Sequence, residues 1–214
     1  MKTQKKNTID LSTQSVKRLP LYLRIIGEMR DAGEECVSST RVAEQLNLDT
    51  IMVRKDLAGC GVAGTPRKGF PLHELYRAIE KILGCHATCD AIMVGVGKLG
   101  MALLGYPGFA QYGIKIVAAF DVKPPASDQI EVPVYPMRKL EDVVLEMRAR
   151  IGILCVPADV AQDVADRMIA AGIKGIWNFT PTHLKIPEGV IVKRENLATS
   201  LIVLSHRMRA AGML

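Results

Sequence analysis

The chain has 214 residues, 49% hydrophobic and 23% charged; at about 150 residues per domain this allows one large domain or two small ones, and the composition excludes intrinsic disorder and fibrous repeats. The longest apolar runs, such as Ile151–Val156, fall short of the roughly 18 residues that a membrane span needs, and the basic, polar start MKTQKKNTID lacks an apolar signal core, so a soluble cytoplasmic protein is expected. The net charge is +6, with 14 Lys/Arg against 10 Asp/Glu in residues 1–84, a modest excess that suits nucleic acid or simply a solvated basic surface, and five cysteines (36, 60, 85, 89, 155) make no disulfide framework.

Hydrophobic spacing divides the chain near residue 85. Before that point it is helical. Ser15 is positioned to cap a helix reaching Gly33, with Leu19, Tyr22, Leu23, Ile26 and Met29 as its apolar stripe and Pro20 near its start. A second helix begins in Ser38-Ser39-Thr40 and carries Val42, Ala43 and Leu46; Asp49 caps a third through about Leu57, and two short helices across a tight turn suggest a helix-turn-helix. The stretch 59–70 holds four glycines, a proline and Arg67-Lys68, which reads as a small basic wing, and a helix from Leu72 to Leu83 ends at Gly84. From Asp90 the order becomes strand, helix from about Lys98, strand (IKIVAAFD), irregular segment, helix within Arg138–Arg148, strand (IGILCV), helix Ala158–Ala171, strand (GIWNF) and a short strand near Val190. Such alternation predicts an α/β unit with a doubly wound, Rossmann-like parallel sheet. The expected organisation is a winged helix-turn-helix over 1–84, the parallel-sheet domain over 85–194 and a C-terminal helix over 195–214.

Gly95-Val96-Gly97-Lys98-Leu99-Gly100 follows an apolar strand and opens a helix, the context a dinucleotide fingerprint requires. Gly95 permits the tight turn, Gly97 the close approach of a pyrophosphate, and Gly100 helix-to-strand packing. Asp121 ends the next strand 21 residues beyond Gly100, placed to accept from a ribose diol and to repel a 2′-phosphate, which favours NADH and NAD⁺ over their phosphorylated forms; Lys123 would compensate such a phosphate. The same residues also make a plain tight βα corner. On the third helix, Arg54 and Lys55, with Met52, lie among Ile51, Val53 and Leu57, so one side packs while the cations face outward, suited to guanine edges and phosphates. Ser39 and Thr40 at a helix start suit phosphate contact, and Arg67 and Lys68 a neighbouring groove; a helical protein-contact domain is the alternative, since exposed Arg-Lys pairs occur on many solvated helices.

With these blocks in place, RLPLYLRII (18–26), SSTRVAEQL (38–46), VRKDL and its wing (53–70), VGVGKLGMALLGYPGF (94–109), AAFDVKP (118–124) and AGIKGIWNFTPTHLKIPEGV (171–190), the chain resembles the Rex family of redox-sensing transcriptional repressors. The resemblance implies a homodimer whose Rossmann domains bind NAD(H), whose winged helices bind a near-palindromic double-stranded operator, and whose C-terminal helix is swapped with the partner. NADH would then favour a closed dimer that leaves DNA. It also assigns Arg24 and Tyr106 to a coupling contact with the residue at Asn196. Leu197, Leu201, Leu204 and Met208 independently form a helical stripe suited to a partner subunit or to packing within the chain. The sequence departs from the family pattern at Ala58-Gly59-Cys60, where the family has a serine and aromatic residues, and in the wing, Thr65-Pro66-Arg67-Lys68-Gly69. It departs again at Asn196, acidic in the family, and at Pro124-Pro125-Ala126-Ser127-Asp128 after the carboxylate.

Cys85, His86 and Cys89 match no common zinc spacing, so no metal is expected; Cys60 is an oxidisable thiol only if exposed. His183 in NFTPTHL lies near where a nicotinamide would sit, but no orienting carboxylate is evident, so no catalytic residue is assigned. The expectation is a DNA-binding repressor that senses NADH/NAD⁺ by binding without turnover. A small NAD-dependent oxidoreductase, or a regulator sensing another nucleotide such as coenzyme A, is the alternative.

Overall fold

The computed structural model describes residues 11–85, 87–125 and 131–214, which form two compact units dividing between Ala87 and Thr88. His86 and Ala126-Ser127-Asp128 lie outside the described residues, as does the basic start of the chain.

In the first unit, α1 (Thr13–Asp31) is capped by Ser12, whose hydroxyl accepts from the Ser15 amide at 3.1 Å; the cap is three residues earlier than the sequence suggests, and Ser15 faces inward. Its buried stripe, Leu19, Tyr22, Leu23, Ile26 and Met29, meets Leu72, Leu75 and Ile79 of α4 (Leu72–Leu83) in the unit's apolar interior. Between them lie α2 (Ser39–Leu46) and α3 (Thr50–Gly59), each entered through a polar cap: Ser38 accepts from the Arg41 amide and Asp49 from the Met52 amide. Asn47, left-handed at φ 51°, makes the sharp turn between the two helices. A minimal sheet of β1 (Cys36–Val37) and β2 (Phe70–Pro71), antiparallel, closes the base of the wing, and the bridge Thr65–Gly69 closes its tip.

The second unit is a six-stranded parallel sheet in the order β5-β4-β3-β6-β7-β8. The strands are β3 (Cys89–Val94), β4 (Ile114–Asp121), β5 (Val134–Pro136), β6 (Ile151–Leu154), β7 (Gly175–Asn178) and β8 (Ile191–Arg194). This is the doubly wound dinucleotide-binding order, with its switch point between β3 and β6. The three-residue β5 falls in the segment read as irregular, too short to carry a period-2 signal of its own. Helices α5 (Lys98–Leu104), α6 (Leu140–Met147) and α7 (Ala161–Ala170) cover the faces, with short 3₁₀ turns at Pro107–Tyr112 and Met137–Lys139. One face buries Ile92, Val94, Phe120, Leu154 and Met168, the other Met93, Val96, Ile116, Ala119 and Ile153.

The C-terminal helix α8 (Leu197–Ala210) buries none of its residues. Leu197, Leu201, Ile202, Val203 and Leu204 are all exposed, Leu201 by 68%. Among the described residues no helix is long and apolar enough to cross a membrane.

Candidate functional site

The glycine loop sits where β3 gives way to α5, at the carboxyl ends of the parallel strands. Gly95 has φ +96°, and a Cβ there would fall 2.6 Å from the Cys155 carbonyl carbon, so the turn demands glycine both conformationally and sterically. At Gly100 a Cβ would overlap the Gly95 carbonyl, which is how α5 packs so tightly on the loop. Gly97 is different: it is exposed, and a Cβ there would meet nothing within 4 Å among the described residues. The space its missing side chain leaves opens on solvent, as a ligand approaching the backbone would require.

Asp121, at the end of β4, is held across the loop. Its Oδ2 accepts from the Val96 amide at 2.8 Å and its Oδ1 from the Lys123 amide at 2.8 Å. Each oxygen keeps further lone-pair capacity, so the carboxylate is oriented without being used up. Gly95, Gly97, Asp121, Cys155 and Pro157 line a cavity of about 760 Å³ that extends to Arg167. Arg167 is committed elsewhere: it forks onto Glu141 (2.6 and 2.9 Å) and donates to the Met137 carbonyl at 2.6 Å. These hydrogen bonds hold the Glu141 carboxyl below its usual range. Lys98 and Lys123 are exposed and Leu99 half-buried. Cys155 and Arg167 escape a reading based on the loop alone because only the alignment of β6 and α7 beside β3 brings them there. Burial pushes the Cys155 thiol up to about 11, leaving it protonated near neutral pH.

On α3 the exposed residues are Ile51, Arg54, Lys55 and Ala58, one face at intervals of three and four; Val53, Asp56 and Leu57 are buried. Arg54 and Lys55 face outward as expected. Ile51 corrects the sequence reading: it stands with the cations, 78% exposed, rather than in the packed side. Asp56, a charge, takes the inward place. Thr40 is exposed and Ser39 half-buried at the start of α2, and Arg67 and Lys68 are exposed at the wing tip. Cys60 is buried, its thiol on the Asp56 carbonyl at 3.4 Å and pushed up to about 11 by burial, which makes it a packing residue.

Each of the proposed coupling residues makes a contact close to it in sequence. Arg24 pairs with Glu28 on its own helix (2.8 Å), exposed Tyr106 packs edge-on against Phe109, and Asn196 caps α8 by accepting from the Ala198 amide at 3.0 Å. Leu197, Leu201 and Leu204 are exposed along α8, and Met208 is half-buried. Glu195, just before α8, accepts from the Trp177 indole at 3.2 Å. His183 contacts the Arg194 guanidinium through Nδ1. Among the described residues no three potential ligands are grouped to hold a metal.

A winged helix-turn-helix followed by a Rossmann-like sheet is the architecture of a nucleotide-linked DNA-binding regulator. Family models agree by halves: residues 10–58 match "putative DNA-binding protein N-terminus" and residues 86–182 match "CoA binding domain". The redox-sensing transcriptional repressor Rex of Treponema denticola is 43% identical over 91% of this chain and 93% of its own. The Porphyromonas gingivalis repressor of the same name is 39% identical over 92% and 91%. The chain therefore belongs to the Rex family of redox-sensing transcriptional repressors, a family of regulators rather than of enzymes. Among solved structures, the Rex-family repressor RSP in complex with β-NAD⁺ and operator DNA superposes with a TM-score of 0.84 at 34% identity, covering 95% of both chains. RSP with β-NADH gives 0.81 at 35%, covering 95% of this chain and 96% of that one.

Proposed function

We propose that this chain is a homodimeric repressor that binds a near-palindromic operator through Arg54, Lys55, Arg67 and Lys68, and that NADH bound at Gly95–Gly100 and Asp121 releases it. The observation that carries the reading is the space in front of Gly97, open on solvent and flanked by an oriented carboxylate, in a chain that also bears an outward cationic face on α3. The first turn of α5 presents amides to a pyrophosphate, and Asp121 takes the ribose diol. A ligand shifts the dimer only by its difference in affinity between two arrangements, so NADH and NAD⁺ must prefer different ones. The exposed apolar face of α8 supports a dimer, since a helix with none of its residues buried among the described residues gains by burying that face against a second copy. Domains over 1–84, 85–194 and 195–214 follow from this division of labour.

The test is calorimetric titration of cofactor-free protein with NADH, with NAD⁺, NADPH and coenzyme A as competitors, followed by selection from a random duplex pool with and without NADH. Tight NADH binding, weak NADPH binding and enrichment of a duplex that NADH releases support the reading. The match to a coenzyme A-binding model makes that nucleotide the second candidate; preferential binding of coenzyme A would replace NADH as the signal. The carboxylate of Asp121 works against it, because a ribose phosphate would be brought against a negative charge.

A further inference from the structure

The one charge on the inward face of α3 is Asp56, 3% exposed between Val53, Leu57 and Cys60. Its carboxylate is fully engaged by α1. Arg18 grips it with both arms, Nε to Oδ2 at 2.7 Å and Nη2 to Oδ1 at 3.0 Å, and the Tyr22 hydroxyl donates to Oδ2 at 2.7 Å. Arg18 Nε also reaches the Tyr22 oxygen at 3.2 Å. Burial by itself would raise the carboxyl, but the hydrogen bonds from Arg18, Tyr22 and Ser15 outweigh it and hold the group ionised, below its usual range.

A buried ion pair is a poor way to gain stability, since well-packed apolar residues of similar volume commonly do as well or better. What it supplies that Val53 and Leu57 do not is direction. Apolar contacts tolerate sliding and rotation; a forked guanidinium-carboxylate pair does not. The register of α3 matters because its other face carries Arg54 and Lys55. Side-chain tips lie about 5–6 Å from a helix axis, so a rotation of about 20° carries them some 2 Å, more than a bidentate contact to a base edge tolerates.

Resting on the repressor reading above, we infer that Arg18, Tyr22 and Asp56 are positioning residues for DNA reading: they lock the rotation of α3 on α1, and they keep the helix's own anion neutralised and turned away from the phosphates. They touch no DNA themselves. Specific recognition depends on them, and non-specific binding through the cationic face does not.

The experiment compares two probes with cofactor-free protein at one salt concentration: the duplex enriched by the unaltered chain from a random pool, and a random-sequence duplex of equal length. The apolar triple variant Arg18→Met, Tyr22→Phe, Asp56→Leu is expected to melt no lower than the unaltered chain and to bind the random duplex within about twofold. It should lose about 5- to 100-fold on the enriched duplex, the discrimination of one bidentate base contact. Asp56→Asn, which keeps the shape and breaks the fork, provides the same comparison if the triple variant does not fold. A folded variant that holds the enriched duplex as tightly as the unaltered chain overturns the inference, and so does equal loss on both duplexes, which marks a merely structural role. If the unaltered chain enriches no duplex, the repressor reading fails and the inference with it.

Discussion

Two glycines of one loop separate ligand binding from folding. Gly97 has φ −76° and caps α5 in an extended conformation that alanine also adopts, with nothing among the described residues within 4 Å of the added methyl. Alanine there lowers the entropy of the unfolded chain, worth about 0.4–1 kcal/mol, and is a poorer N-cap than glycine by a comparable amount. The net change in stability for Gly97→Ala is therefore within about 0.5 kcal/mol, a shift in Tm of no more than about 2 °C in a chain of this size. The methyl nevertheless stands where a pyrophosphate would meet the backbone, and losing one charge-assisted hydrogen bond costs about 1.5–3 kcal/mol, or roughly 10- to 100-fold in Kd for NADH. Gly100→Ala is the contrast. Its methyl overlaps the Gly95 carbonyl oxygen and lies 3.1 Å from the carbonyl carbon, so the loop backbone must shift. Overpacking of this kind costs about 1–3 kcal/mol, partly offset by up to about 1 kcal/mol of helix propensity. The assay is differential scanning calorimetry of both variants beside NADH titration. Wild-type NADH affinity in Gly97→Ala would refute the assignment of the loop, and a raised Tm in Gly100→Ala would refute the packing argument.

On α3, Arg54→Ala should lower affinity for the enriched duplex by about 1–3 kcal/mol and relax specificity, whereas Lys55→Ala should weaken all duplexes alike and reduce the salt slope by about one ion; identical effects would dismiss the division between base and phosphate contacts. Leu201→Glu combined with Leu204→Glu should turn a dimer into a monomer in sedimentation analysis, and a dimer that persists would show that α8 does not carry the association. Because the Asp56 carboxyl is depressed in the folded protein, its contribution to stability is present above its unfolded pKa and is lost as pH falls through the folded value. The first unit should thus lose Tm on acidification below about pH 4, and Asp56→Asn should flatten that limb; an unchanged limb in the variant would assign acid sensitivity to other groups.

Much of this protein is legible in its residue order because the relevant signals are local. The helical stripe of α1, the Asp49 cap and the Gly95–Gly100 turn are set by neighbours within a few positions, so spacing alone predicts them. The parallel sheet follows from strand and helix alternation, and a tight turn between two short helices is enough to suggest the helix-turn-helix. What depended on tertiary structure is every contact made between distant residues. Arg18 meets Asp56 across 38 positions, and Arg167 meets Glu141 across 26. Burial turned Asp56 inward and left Ile51 outside, against their polarity, because a partner on α1 satisfied the charge while nothing among the described residues covered the isoleucine. The exposure of α8 is decided in the same way: its leucine stripe is plain in the sequence, but only packing reveals that none of the helix's residues is buried.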